Sequence, residues 1–238
     1  MANNDAVGDR SQTPTREYRS ARRDAQARHT RRRVLEAATA VFLECGYAAA
    51  TMRSVAARAG VAVPTVELLF GRKPRLLKAA IDVAIAGDDE PVGVLDRDWT
   101  AAASTASSAA ELLSIGASVI APAQERSAGL VLAVFEGARR DADLAELSIE
   151  LIEQRARTAA WFVDRLAGLA PLRNGSSRQD AIDTLWVLMD PALFDRLTRQ
   201  RQWTTERYER WFADSVARLL VGGGAPARPK RSRTRSTT

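Results

Sequence analysis

From residue 34 to residue 219 the apolar side chains recur three and four positions apart, and no convincing strand or hairpin pattern appears. A chain patterned in this way can hide its apolar surface only by packing helix on helix, so the fold class is all-α. Val34, Leu35, Ala38, Val41, Phe42 and Cys45 form one stripe that ends near Gly46. Two short helical patterns flank Gly60, and a fourth stripe from Leu76, Leu77, Ala80, Ile81, Ala84 and Ile85 is stopped by Gly87. Residues 88–99, with Pro91, Gly93 and a cluster of acids, read as a linker. Beyond it, helix breaks are expected near Pro122, near Arg140 and over residues 171–177. The longest stripe runs from Leu144 through Leu151 and Val163 to Ala170, which makes a long helix capped near Asp141.

The net charge of +6 is concentrated at the ends. Residues 1–33 hold nine arginines against four acids, residues 222–238 hold five basic residues and no acid, and the body between them is negative. A polyanionic partner is therefore expected at the ends, and both tails, lacking apolar periodicity, are expected to be disordered when free. The polar, arginine-rich start is unlike a secretory leader, and no run of about 18 apolar residues occurs, so a cytoplasmic protein without a membrane partner is expected. His29, the only histidine, lies in the basic arm, so neither a Ser-His-Asp nor a Cys-His arrangement nor a histidine metal site can be built from the body. No enzyme activity, catalytic residue, metal or cofactor is expected. Cys45, between Phe42 and Tyr47 on an apolar stripe, reads as a buried filler.

The stretch from Thr51 to Phe70 carries the chemistry. Two helices cross steeply only where their contact is small and the turn accepts unusual dihedrals; Ala56 supplies the first condition and Gly60, four residues on, the second. Val55, Ala59, Val61, Val66 and Leu69 fall where such a crossing buries them. This is the pattern of a helix-turn-helix, although a plain helical hairpin shares the spacing.

The surrounding residues resemble the TetR family of regulators: Arg33-Val-Leu-Glu-Ala-Ala, Phe42-Leu-Glu-Cys-Gly-Tyr47, Thr51 opening the second helix, Ala59-Gly60-Val61, Thr65-Val66, Phe70-Gly71, Lys73 and Leu76. The resemblance covers roughly residues 30–86. It implies an N-terminal three-helix helix-turn-helix domain joined to a larger C-terminal helical domain for ligand binding and dimerisation. The expected division is a disordered basic arm over 1–27, the DNA-binding domain over 28–87, a linker over 88–103, the sensing and dimerisation domain over 104–221 and a disordered basic tail over 222–238. Carried over residue by residue, it implies that Thr51, Arg53 and Lys73 touch phosphates. Val63, Pro64, Thr65, Glu67 and Leu68 would then face the major groove from the recognition helix. The chain departs from the family in having Ala62 in place of a polar helix cap and Glu67 in place of a tyrosine. Its recognition helix has no Arg, Lys, Asn or Gln between Val61 and Phe70, which leaves Thr65, Glu67 and apolar contact to read bases.

The aromatic and apolar volume of the second domain suits an unidentified small-molecule effector, with Phe135, Trp161, Phe162, Trp186 and Met189 as expected pocket residues. The last two helices resemble the family's dimerisation pair, with Ile182, Leu185, Tyr208, Trp211, Phe212 and Leu219 expected at the interface of a homodimer. The reading is of a ligand-responsive, sequence-specific regulator, a repressor by resemblance, binding double-stranded DNA at a pseudo-palindromic operator. The alternative is a protein of the same fold that binds small molecules or acts as a scaffold without specific DNA readout.

Overall fold

Val34, Leu35, Ala38, Val41 and Phe42 all lie on the buried side of the first helix, α1 (Arg16–Ala49), which Gly46 interrupts at φ 73° and ψ 168°. The computed structural model describes residues 16–90 and 92–222, with side chains from residue 23 on; residues 1–15 of the basic arm and 223–238 of the tail lie outside the described residues. Because α1 begins at Arg16, helix extends through residues 16–27, which composition alone assigns to a disordered arm.

Thr51 starts α2 (Met52–Ala59) with a reciprocal cap: Ser54 N–H donates to Thr51 Oγ1 and Thr51 N–H donates to Ser54 Oγ, both at 3.0 Å. Gly60 ends it in the left-handed region, φ 64° and ψ 41°. Next comes α3 (Val63–Phe70), entered through Ala62 without a side-chain cap and with Pro64 in its first turn, where a missing N–H costs nothing. The fourth helix, α4 (Lys73–Ala86), buries Leu76, Leu77, Ala80, Ile81 and Ala84 and stops on Gly87 at φ 91°.

The acidic segment that reads as linker is more ordered than its composition suggests. A 3-10 turn at Val94–Asp96 leads into α5 (Asp98–Thr105). The helix that follows, α6 (Ala109–Gly137), runs unbroken through Pro122, contrary to the break expected there. Proline inside a helix sacrifices one hydrogen bond at a cost of about 3 kcal/mol. The helix tolerates this because it is buried on both sides of the proline, at Leu112, Leu113, Ala117, Ala121, Ala128, Leu130 and Val134. Asp141 accepts from Leu144 N–H at 3.1 Å and opens α7 (Ala142–Ala167), as its sequence predicts.

After a turn pinned by Gly222 N–H donating to Pro171 O at 2.9 Å come α8 (Arg178–Leu188), α9 (Pro191–Asp195), a π-helical turn at Arg196–Gln200, and α10 (Thr205–Leu220). Among the described residues there is no strand beyond a single bridge between Leu172 and Val221, and no helix is long and apolar enough to cross a membrane.

Two cores result. One joins α1–α4 to Leu130, Val131 and Val134 of α6 and to Leu144, Leu147 and Leu151 of α7. The other fills the space among α5–α10. The first core includes the C-terminal end of α6 and the N-terminal end of α7, so the helix-turn-helix is seated on the larger domain rather than tethered to it. Cys45 is exposed, with its Sγ 2.9 Å from Val41 O, and is not a core filler; it shares the face of Val41 and Phe42 but stands one residue before the break at Gly46.

Candidate nucleic-acid interface and ligand cavity

The turn between α2 and α3 is braced from α1. Arg33 donates through Nη2 to Ala59 O, and Gly60 and Val61 N–H close back onto Ala57 O and Ala56 O at 3.2 and 3.0 Å. Arg31 stands over the Phe70 ring, 4.7 Å from its centroid, and pairs with Asp89 at 3.0 Å. These two arginines, counted by sequence with the basic arm, hold the helix-turn-helix together.

With Val66 and Phe70 buried, α3 exposes Pro64, Glu67 and Leu68 and leaves Val63 and Thr65 half-buried. Thr51 and Arg53 are exposed at the start of α2. Lys73 is engaged inside the protein: its Nζ donates to Tyr47 O at 2.9 Å and Ala50 O at 3.1 Å, and lies 4.0 Å from the Tyr47 ring centroid. Burial, with Asp141 and Asp143 nearby, pushes the Tyr47 phenol up to about 12. Exposed Arg53 and Arg75 make no ion pair among the described residues, and Arg72 reaches Asp143 only at 3.7 Å. Arg72 and Arg75 are cations that the sequence pattern does not single out; their place beside α3 follows only once Gly71 has turned the chain.

Thr51 carries structure as well as a candidate phosphate contact. Thr51→Ala is expected to lower stability by about 1 kcal/mol, seen as a melting-temperature drop of about 2–4 °C, whereas Thr51→Ser keeps the cap and the wild-type value.

At the other end of α4 a cavity of about 760 Å³ opens between α4, the acidic segment, α6, α7 and the start of α9. It gathers Phe135, Phe162 and Met189 from the expected pocket residues and leaves out Trp161 and Trp186. Trp161 packs edge-on against Trp99 at 5.4 Å, and Trp186 lies under the Arg155 guanidinium at 4.1 Å. In their place stand Trp99, Gln124, Arg126 and Arg155, and Asp88, Glu90, Asp96 and Asp98 of the acidic segment also line it. Periodicity offered no signal for those acids, because they lie where helical patterning stops. Asp88 is held below its ordinary carboxylate range by hydrogen bonds from Arg97 and the Glu90 backbone. Burial draws the Arg155 guanidinium down, against the opposing pull of Asp190 at 2.8 Å. Gln124 is turned by its amide donating to Met189 O at 2.6 Å.

The wall of this cavity is tied directly to α4. Arg126 of α6 donates through Nε to Ala84 O at 2.8 Å and through Nη2 to Ile85 O at 3.3 Å, so it binds the final carbonyls of the helix. One end of α4 is therefore fixed to the turn after α1 by Lys73, and the other to the cavity by Arg126.

Of the residues expected at a dimer interface, Ile182, Leu185, Tyr208 and Phe212 are buried in this protomer's own core, and Trp211 is half-buried beside them. An apolar stripe marks burial without saying against what. Leu219 of α10 is 43% exposed, and Val187 of α8, which the apolar stripes do not single out, is 55% exposed.

Residues 34–80 match the family of bacterial regulatory proteins, tetR family. No curated protein matches the chain. Among solved structures, the SmeT–triclosan complex is similar at a TM-score of 0.62 and 19% identity, covering 82% of this chain and 93% of its own. A candidate TetR-family transcriptional regulator from Mesorhizobium loti is similar at 0.60 and 19%, covering 82% and 98%. A candidate transcriptional regulator from Saccharomonospora viridis in complex with choline is similar at 0.59 and 18%, covering 84% and 100%. Over residues 34–80 the chain is therefore similar to the tetR family of bacterial regulatory proteins, and its overall fold is that of the solved structures of TetR-type regulators.

Proposed function

We propose that this protein is a homodimeric repressor that binds a pseudo-palindromic DNA operator and leaves it when a small molecule fills the cavity. The observation that carries the reading is α4, which is fastened by Lys73 beside the helix-turn-helix and by Arg126 at the cavity wall. An occupant that displaces the end of α4 moves α3 with it, so binding at one site shifts the population of geometries at the other. The SmeT–triclosan and choline complexes support the expectation of a small-molecule effector in this fold.

Arg53, Arg72 and Arg75 supply the sequence-independent grip on phosphates, with Thr51 and the N-terminal end of α2. The outer faces of α8 and α10, with Val187 and Leu219, form the two-fold interface. That interface sets the two recognition helices about 34 Å apart, one turn of DNA. The reaction catalysed is none: the protein works by binding alone.

Selection of bound sequences from a random duplex pool at about 150 mM salt tests the reading, because phosphate-only binding is suppressed there. One enriched pseudo-palindrome is the expected result. Arg53→Ala is then expected to weaken binding evenly across sequences and to reduce the salt slope by about 1 for each phosphate that is no longer neutralised. Binding without enrichment of any sequence would transfer the assignment to a ligand-binding or scaffolding protein of this fold, a reading that Glu67 on the recognition helix favours.

A further inference from the structure

We infer that the recognition helix reads its operator through pyrimidine edges, with Leu68 packing on the C5-methyl group of a thymine and Glu67 accepting a hydrogen bond from the N4 amine of a cytosine. The inference rests on the DNA-binding reading above and adds to it the chemistry of the sequence that is read. Leu68 is 87% exposed, well beyond the next most exposed large apolar residue among the described residues, Ile149 at 58%. A single exposed leucine on an ordinary surface means little. This one stands on an eight-residue helix whose Val66 and Phe70 are buried, and the helices on either side of it, α2 and α4, each expose an arginine without an ion pair in their first turn, Arg53 and Arg75, which suits a phosphate backbone.

The major groove offers a limited set of edges. Guanine shows two acceptors, adenine an acceptor beside a donor, cytosine an amine donor, and thymine an acceptor and a methyl group. The exposed side of α3 holds Pro64, Glu67 and Leu68, none of which donates a hydrogen bond from its side chain at neutral pH, so guanine gains nothing from it. A carboxylate beside adenine accepts from N6 but meets the lone pair of N7; beside cytosine it meets only the amine. The thymine methyl is the one apolar group in the groove, and Leu68 is the apolar side chain that reaches furthest from the helix. Thr65, half-buried, supports this face from its edge.

The test uses the full chain and the duplex enriched from the random pool. Each thymine is replaced in turn by deoxyuridine, which removes the methyl group and leaves every hydrogen-bonding atom in place. At one thymine per half-site the wild-type affinity is expected to fall about fourfold, and about fifteenfold when both half-sites are changed. Leu68→Ala is expected to bind the thymine duplex correspondingly less well and to ignore the deoxyuridine change. Its melting temperature should stay at the wild-type value, since the side chain touches no core. A repeated selection with Glu67→Gln is expected to replace cytosine by adenine at the contacted position. Equal wild-type affinity for all the deoxyuridine duplexes, discrimination that survives Leu68→Ala, or an unchanged preference with Glu67→Gln would each overturn the inference while leaving the regulator intact. If the pool yields no enriched duplex, the regulator reading falls and this one falls with it.

Discussion

Tyr208→Ala is expected to destabilise the protein by about 4 kcal/mol, which lowers the melting temperature by about 8–16 °C for a chain of this size. Tyr208 has no exposed surface, and its ring lies 4.8 Å from Phe194, 5.8 Å from Trp211 and 6.1 Å from Phe212, centroid to centroid. Truncation leaves a void bounded by α8, α9 and α10, and these three neighbours are rigid rings that cannot flow into it. Its hydroxyl also donates to Leu188 O at 3.3 Å, on the last turn of α8. Burial pushes the phenol well above its ordinary value, which keeps the donor protonated at neutral pH. Tyr208→Phe isolates that bond and is expected to cost about 1 kcal/mol. Denaturant unfolding of both variants checks the ratio. A Tyr208→Ala loss as small as that of Tyr208→Phe would show that the surrounding rings do collapse.

What was legible in the sequence was local. Thr51, Gly60, Gly87 and Asp141 act on backbone within four residues of themselves, so their roles follow from residue type and spacing. Pro122 misled for the opposite reason. Its local preference to end a helix is overridden by burial on either side, a tertiary effect that no window of residues contains. Cys45 misled because periodicity fixes a residue's face but not how far along the helix that face stays covered: it shares the face of Val41 and Phe42, yet it is exposed one residue before the break at Gly46.

The sites were harder to read than the fold because they are assembled from distant segments. The cavity takes Trp99 and Arg97 from the acidic stretch, Gln124 and Arg126 from α6, and Arg155 from α7. Each of these looks ordinary in its own segment. Lys73 and Arg33 show the same limit at the helix-turn-helix. Their charge suggests phosphate, yet each donates to backbone carbonyls on another element, over a sequence separation of more than twenty residues. The exposed face of α3 was readable, because an eight-residue helix with two buried positions has few ways to point the rest.

Gly60→Val is expected to reduce operator affinity at least about 100-fold while α5–α10 keep their stability. At φ 64° a residue with a Cβ costs about 1–2 kcal/mol, and a β-branched one more. The added Cβ would also come within 2.8 Å of Arg33 Nη2, the atom that braces Ala59 O. An arginine end can swing aside, so the steric clash alone is cheap, but swinging aside gives up the brace; backbone strain and the missing brace therefore act together. The strain is relieved most easily by opening the turn, since α2 and α3 have only eight residues each and depend on it for their crossing angle. Specific binding exceeds non-specific binding by about 10³–10⁷-fold. A recognition helix turned out of register in both half-sites forfeits much of that margin and leaves the salt-sensitive phosphate grip. Gly60→Asn separates the two causes, because asparagine tolerates the left-handed region, and it is expected to bind within about tenfold of wild type. Titration of the selected duplex with both variants decides the matter: if Gly60→Val binds as well as Gly60→Asn, the turn yields without moving α3 and its dihedral does not set the reading angle.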